Sequence, residues 1–306
     1  MVSAWNISTK KDIVKPLQFV TEGDSVTTPS LFGVTPTASP AFTAAGLNSE
    51  IDINPDFPYE DINVLGSEDI VDAVVTGELH AFRCRFQPTD TVLINYAIAA
   101  AGGGLGTIDA SLSFAYSEYI DGVENFTLLK GCRPTNLNLT LQRGTWEAEM
   151  TWVASDIIVP ITTANAGLTT PTWATIPTAS PLTHSGAGSD PFTFNAVSYP
   201  ERRFALNIVR DLGILSVNGQ NPIIYTKPVA RRITYNVDVF LKSTTLRSEV
   251  ETKTARTASY KFTSSPAKTL TFTNSIITNW NRTPSASSID AFIESITCRA
   301  EGISIT

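Results

Sequence analysis

The chain has 306 residues, with 22 Lys+Arg against 29 Asp+Glu and a formal net charge of −7. At 42% hydrophobic and only 17% charged residues it can bury a core, which excludes a disordered chain and a coiled coil, while the negative balance argues against a sequence-independent nucleic-acid binder. Small uncharged residues fill the difference, 40 of them threonine, beside 18 Gly and 18 Pro, so the composition leans to an all-β protein.

Met1 to Lys15 carries lysines with no apolar run behind them, unlike a secretory signal, and no stretch reaches the length of a membrane span. Residues 1–48 read as an N-terminal arm and loop, of which 24–48 is low-complexity Thr/Ser/Pro/Ala sequence. From 49 to 157 period-two alternation dominates, as expected of the first half of a β-sandwich or barrel. Phe82, Cys84 and Phe86 alternate with Arg83 and Arg85, and Leu112, Phe114 and Tyr116 take alternate positions. Between these runs Pro88 and Asp90 open the one short helix expected, Thr89–Ala101, which Gly102–Gly106 stops. Leu137, Leu139 and Leu141, then Trp146, Ala148, Met150 and Trp152, flank Arg143-Gly144 as a hairpin with one apolar and one wet face.

Residues 158–200 form a second Thr/Ser/Pro/Ala-rich stretch, read as an insertion that docks no core of its own. From 201 to 306 the strands resume, as a second half of the sandwich or a second β-domain. Phe204, Leu206 and Ile208 alternate, Asn218-Gly219 signals a hairpin, and Ile233 to Leu241 is apolar at every odd position. Tyr260/Phe262, Leu270/Phe272 and Ile293–Thr306 supply further strands, with a turn or two of helix expected at 287–293. No short internal repeat is visible.

The residues of catalysis are sparse. His80 and His184 are the two histidines, and one imidazole near Cys84 lacks the ligands of a zinc site. Asp52, Asn54 and Asp56 alternate as calcium ligands would, without the glycine and closing glutamate of that loop. No nucleophile elbow or phosphate loop is present, so an enzyme is not expected, nor any cofactor. Cys84, Cys132 and Cys298 suit buried free thiols. Charge is segregated instead. Between Lys15 and Arg83 lie eleven acids and no base, whereas 199–268 holds twelve Lys/Arg against five acids. Glu50, Asp52, Asp56, Glu60 and Asp61 are therefore candidate subunit-interface residues, to meet Arg202, Arg203, Arg231 and Arg232 of a neighbouring copy.

The order of elements in 30–157 resembles the tail tube proteins of long-tailed (head-tailed) viruses of bacteria or archaea. The likeness runs through an arm (Thr27–Thr43), an acidic loop (Leu47–Asp72), a long strand (Ala73–Pro88), a helix (Val92–Ala100) and a strand (Ala110–Tyr119). Its most specific part is the Gly131-Cys132 stretch followed by the hairpin to Trp152, and Leu270-Thr-Phe-Thr with Ala291–Thr306 resembles the closing strands. The resemblance implies a β-sandwich or barrel protomer, hexameric rings, and rings stacked into a tube through which viral DNA passes without specific binding. It implies residence in the virion tail after assembly in the host cytoplasm. The partners implied are copies of the chain and other tail proteins such as the tape measure, the tail terminator and the baseplate or tip, with no membrane and no catalytic residue. The competing reading is a β-sandwich adhesion, carbohydrate-binding or virion decoration module, which exposed aromatics at Trp173, Phe192 and Phe194 would favour.

Overall fold

Alternating residues become strands almost throughout. The computed structural model describes residues 13–22, 32–56, 59–63, 70–75, 79–98, 111–120, 123–142, 144–161, 168, 171–184, 190–215, 225–240, 245–264, 267–283 and 293–306. The first half runs β1 (Ile13–Thr21), β2 (Thr43–Ala44), β3 (Leu47–Asp56), β4 (Tyr59–Asn63), β5 (Ile70–Val75), β6 (Leu79–Gln87), α1 (Val92–Ile98), β7 (Leu112–Ile120), β8 (Val123–Gln142), β9 (Thr145–Ala154) and β10 (Asp156–Ile161). The second runs β11 (Phe192–Phe194), β12 (Val197–Tyr199), β13 (Glu201–Leu215), β14 (Tyr225–Phe240), α2 (Thr245–Thr252), β15 (Arg256–Ser264), β16 (Ala267–Thr283), β17 (Ile293–Ala300) and β18 (Gly302–Ile305). The protein is all-β, with two short helices among the described residues.

Sixteen of these strands pair antiparallel into one continuous sheet, apart from the β4–β5 hairpin. Its centre has the order β3-β6-β9-β8-β13-β14-β17-β16. Two five-stranded flanks leave it along its longest strands, β2-β1-β7-β8-β10 from β8 and β12-β11-β15-β16-β18 from β16. Both flanks fold over the same face of the centre. Phe114 of the first lies 5.3 Å from Phe82 and 4.8 Å from Trp152, centroid to centroid. From the second, Phe262 meets Trp146 at 4.6 Å, Tyr260 meets Phe204 at 4.0 Å and Phe272 meets Tyr235 at 4.2 Å. The result is a sandwich whose core unites both halves.

The two halves are one unit built twice. β1, β2, β3, β6, α1, β7, β8, β9 and β10 correspond in order and pairing to β11, β12, β13, β14, α2, β15, β16, β17 and β18. Irregularities recur at matching places. The β8·β9 register slips between Pro134 and Asn136, and β16·β17 slips between Ile277 and Asn279. Thr135 Oγ1 donates to the Thr151 carbonyl at 3.1 Å, and Thr278 Oγ1 to the Thr297 carbonyl at 3.0 Å. Gly131 has φ 61° and its counterpart Asn274 has φ 49°. At Gly131 a Cβ would lie 2.2 Å from Ser155 Oγ, so that position requires glycine. The units join edge to edge, β8 to β13, from Asn136↔Val209 to Thr140↔Ala205.

The expected alternations hold at Phe82/Cys84/Phe86, Leu137/Leu139, Trp146 to Trp152, Phe204 to Ile208 and Ile233 to Val239, all buried. The helix starts at Val92, later than the expected Thr89, because Asp90 Oδ1 accepts from the Val92 N–H at 2.9 Å and sets its start; residues 99–110, with the glycine run, lie outside the described residues. Helix α2 was not expected. Its signals were Leu246 and Val250 at helical spacing and the Arg247–Glu251 pair, 3.2 Å apart. The expected turn at 287–293 and Asn218-Gly219 fall outside the described residues, except that Ile293 opens β17.

Part of the insertion is docked against its own chain. The Phe42 N–H donates to the Thr172 carbonyl at 2.9 Å and the Leu182 N–H to the Pro88 carbonyl at 2.7 Å. Trp173 stacks on Phe42 at 4.8 Å and meets Phe126 edge-on at 4.7 Å. Backbone hydrogen bonds to the sandwich, with one aromatic anchor, offset the entropy of ordering this polar strap.

Trp152 is fully buried, and its indole N–H donates to Cys84 Sγ at 3.3 Å. Trp152→Ala is expected to lower stability by about 3–5 kcal/mol in urea unfolding, whereas Glu149→Ala on the wet face changes it by well under about 1 kcal/mol.

Candidate assembly surfaces

The face of the central sheet turned away from both flanks is polar. Alternation places Glu50 and Asp52 (β3), Arg83 and Arg85 (β6), and Glu147 and Glu149 (β9) side by side there. Asp52 lies 3.6 Å from Arg83, Arg83 lies 3.8 Å from Glu149, and Arg85 lies 3.1 Å from Glu147 and 3.0 Å from Glu149. The hydrogen bond that Arg85 donates to Glu149, then the charges of Glu147 and Glu149, raise the Arg85 pKa. Arg83 and Arg85 are half-exposed and Glu147 and Glu149 a quarter exposed, so solvent screens these pairs and they set the charge of the face more than they stabilise the fold. Across the joint the ladder becomes neutral. Asn207 Nδ2 donates to Asn138 Oδ1 at 2.5 Å and to Asn136 Oδ1 at 3.2 Å, clamping β13 to β8. Nothing in the composition singled out these asparagines.

The candidate interface residues separate into groups. Glu50 and Asp52 are exposed on β3 beside the arginines of β6, in their own chain. Asp56 ends β3, and Glu60 and Asp61 lie on β4; the side chains of these three are outside the described residues. Arg202 and Arg203 are exposed at the start of β13. Arg231 instead donates to the Ile98 carbonyl, and Arg210 donates to the Tyr96 carbonyl at 2.6 Å. Two guanidinium groups from the second unit thus meet the C-terminal end of α1 in the first, where the helix dipole favours cations. Desolvation lowers the pKa of Arg231. Arg232 pairs with Asp211 at 3.5 Å. Within the chain, Glu50 and Asp52 of β3 lie beside the arginines of β6.

Two buried carboxylates escaped the sequence reading, because their partners are remote in the chain. Glu22, 3% exposed, accepts from the Gly33 and Gly131 N–H groups at 2.9 and 2.8 Å and from the Ser111 and Ser113 hydroxyls at 2.5 Å each. Four donors satisfy a charge that burial would otherwise penalise, and they fasten the 32–46 segment to the first flank. Glu201 Oε1 accepts from Tyr260 at 2.9 Å and lies 2.9 Å from His184 Nε2. His184 is stacked on Tyr260 with its side chain 24% exposed. Among the aromatics that would have made a binding platform, Phe192 and Phe194 are buried at 0% and 1%, and Trp173 is occupied by Phe42 and Phe126. The thiols are buried; desolvation pushes Cys84 and Cys298 up to about 12 and holds Cys132 well above its ordinary value.

No family model matches this sequence, and no curated relative matches it. Among solved structures the chain is similar to Hcp1 from Flavobacterium johnsoniae, with 19% identity over 38% of this chain and 92% of that one and a TM-score of 0.26. A likeness of that size carries no argument about function.

Burial raises the pKa of Glu201, against the lowering effects of Tyr260 and His184. A carboxyl raised in the folded state contributes stability at pH below its ordinary value and loses it as pH rises through the folded value. Glu201→Gln is therefore expected to lessen the fall in stability above the ordinary carboxylate range, with the two proteins converging under acid. Urea midpoints taken across pH check this.

Proposed function

We propose that this chain is a structural virion protein, the tail tube subunit that assembles into stacked rings forming a conduit for viral DNA. The observation that carries the reading is the tandem joint: two like units already share one sheet edge to edge, β8 against β13. Among the described residues, the same kinds of edge are left without a strand partner at the two ends, on β3 and on the 276–283 part of β16. Unlike edges at opposite ends make a heterologous contact, which closes into rings or propagates as filaments. Covering them in a ring removes the aggregation hazard of a long open strand. The resemblance implies hexameric rings; because this chain carries two like units, three chains would supply the six units of such a ring.

The polar outer face of the central sheet suits a channel lining. It offers mixed, internally paired charge and neutral amides, and the chain as a whole is net negative. Such a wall holds no phosphate backbone, so DNA slides past it. The tape measure, the terminator and the baseplate or tip are the partners this role calls for, in a virion tail assembled in the host cytoplasm. No step of the role asks for catalysis.

Negative-stain microscopy of the purified protein tests the reading: rings with a central pore, or tubes, are expected, and discrete solid particles at every concentration would refute it. The triple variant Asp52→Lys, Asp56→Lys, Glu60→Lys is expected to keep the monomer's unfolding midpoint but assemble more slowly and with altered salt dependence, since opposed charges orient association within about 8–10 Å at physiological ionic strength.

A further inference from the structure

We propose that copies of this chain join through β3 of one and β16 of the next, in the register that β13 and β8 use inside the chain. For the closed ring this rests on the tube reading above; for its residues it rests on the duplication.

β13 is the counterpart of β3, because each pairs with the counterpart strand β14 or β6 in matching register: Ile53 opposes Phe82, and Leu206 opposes Tyr235. β16 is the counterpart of β8 through the shared slip at Thr135 and Thr278. Carrying the pairs Ala205↔Thr140, Leu206↔Leu139, Asn207↔Asn138, Ile208↔Leu137 and Val209↔Asn136 onto the ends gives Asp52↔Thr283, Ile53↔Arg282, Asn54↔Asn281, Pro55↔Trp280 and Asp56↔Asn279.

Two observations favour that register. The asparagine clamp of the internal joint, Asn207 with Asn138 and Asn136, has an asparagine at every equivalent end position: Asn54 on β3, with Asn281 and Asn279 on β16. Asn279 and Asn281 are exposed. On the core side, Leu137, Leu139, Leu206 and Ile208 at the internal joint are at most 1% exposed; of their four end counterparts, Ile53 and Trp280 are apolar and only partly buried, while Pro55 stands for Ile208 and the exposed Arg282 for Leu139. The end edges thus carry the amide chemistry of the joint and part of its apolar side, without its cover. Pro55, at the position of Ile208, has no N–H to offer and guards this edge against indiscriminate strand pairing.

Residues directly opposite in an antiparallel pair lie about 4.5–5.5 Å apart at Cα, within the reach of a disulfide. The native thiols are buried, so an introduced pair reacts alone. In the full chain, Asn54→Cys with Asn281→Cys is expected to give chains covalently linked into closed oligomers on oxidation, while Glu50→Cys with Asn281→Cys stays unlinked. Asn207→Cys with Asn138→Cys is the control that bonds within one chain. Separately, Asn279→Ala with Asn281→Ala is expected to raise the concentration of half-assembly about tenfold without moving the monomer's unfolding midpoint. Oligomers that form with no link between 54 and 281, or that link equally from 50, would overturn this joint and leave the tube reading standing. Linked oligomers without a pore would uphold the joint and overturn the tube reading. A chain that stays monomeric at all concentrations would overturn both.

Discussion

The architecture depends on one strand serving two sheets at once. β8 pairs with β7 and β10 along its first half and with β13 and β9 along its second, and the change happens around Gly131. A left-handed backbone there turns the strand out of one pleat and into the next, while the Ser155 N–H donates to the Lys130 carbonyl at 2.8 Å and keeps the neighbouring strand attached. The buried Glu22 carboxylate accepts the Gly131 N–H that this turn leaves over. Without it the flank would continue the central sheet as a flat ribbon, and the aromatic core would have nothing to close against.

The second unit solves the same problem with different side chains. Asn274 takes the left-handed position, which asparagine tolerates, and the Glu301 N–H donates to the Thr273 carbonyl at 3.2 Å in place of the Ser155 bond. Volumes are exchanged between equivalent places: Trp152 corresponds to Cys298, and the cross-strand pair Phe114↔Leu129 corresponds to Ala258↔Phe272. A core needs total volume and pattern more than particular residues. That is why the duplication leaves no visible repeat in the residues, although strand order, slips and hydroxyl bonds all recur.

Because the units share a sheet, their joint is as much a fold element as a contact. The amide clamp on the wet side, the leucines on the core side and the arginines that reach α1 act together across it. Each is modest alone. Together they make the position of one unit on the next a matter of sheet register, which changes only in whole steps that would turn a buried face outward.

Alternation is a local property, so within 49–157 and 201–306 the residues alone determined where the alternating strands run and which face of each is buried; β1, inside the stretch read as an arm, and β11 and β12, inside the stretch read as an insertion, carry core residues that this reading missed. A single inward-pointing set at Leu137 to Trp152 or Ile233 to Val239 can be read without knowing its neighbours. The all-β class, the buried tryptophans and the buried thiols follow from that. The pairing of β8 with β13, the return of the strap onto Phe42, the Glu22 and Glu201 sites and the asparagine clamp were decided only in three dimensions. Each joins groups dozens of residues apart, through hydrogen bonds whose partners are ordinary Ser, Asn, Gly and Arg residues with no pattern around them. Segregated charge was legible, but its partners within the chain were not: the acids of β3 meet the arginines of β6 because antiparallel pairing sets them side by side, a closeness that charge counts along the chain do not contain.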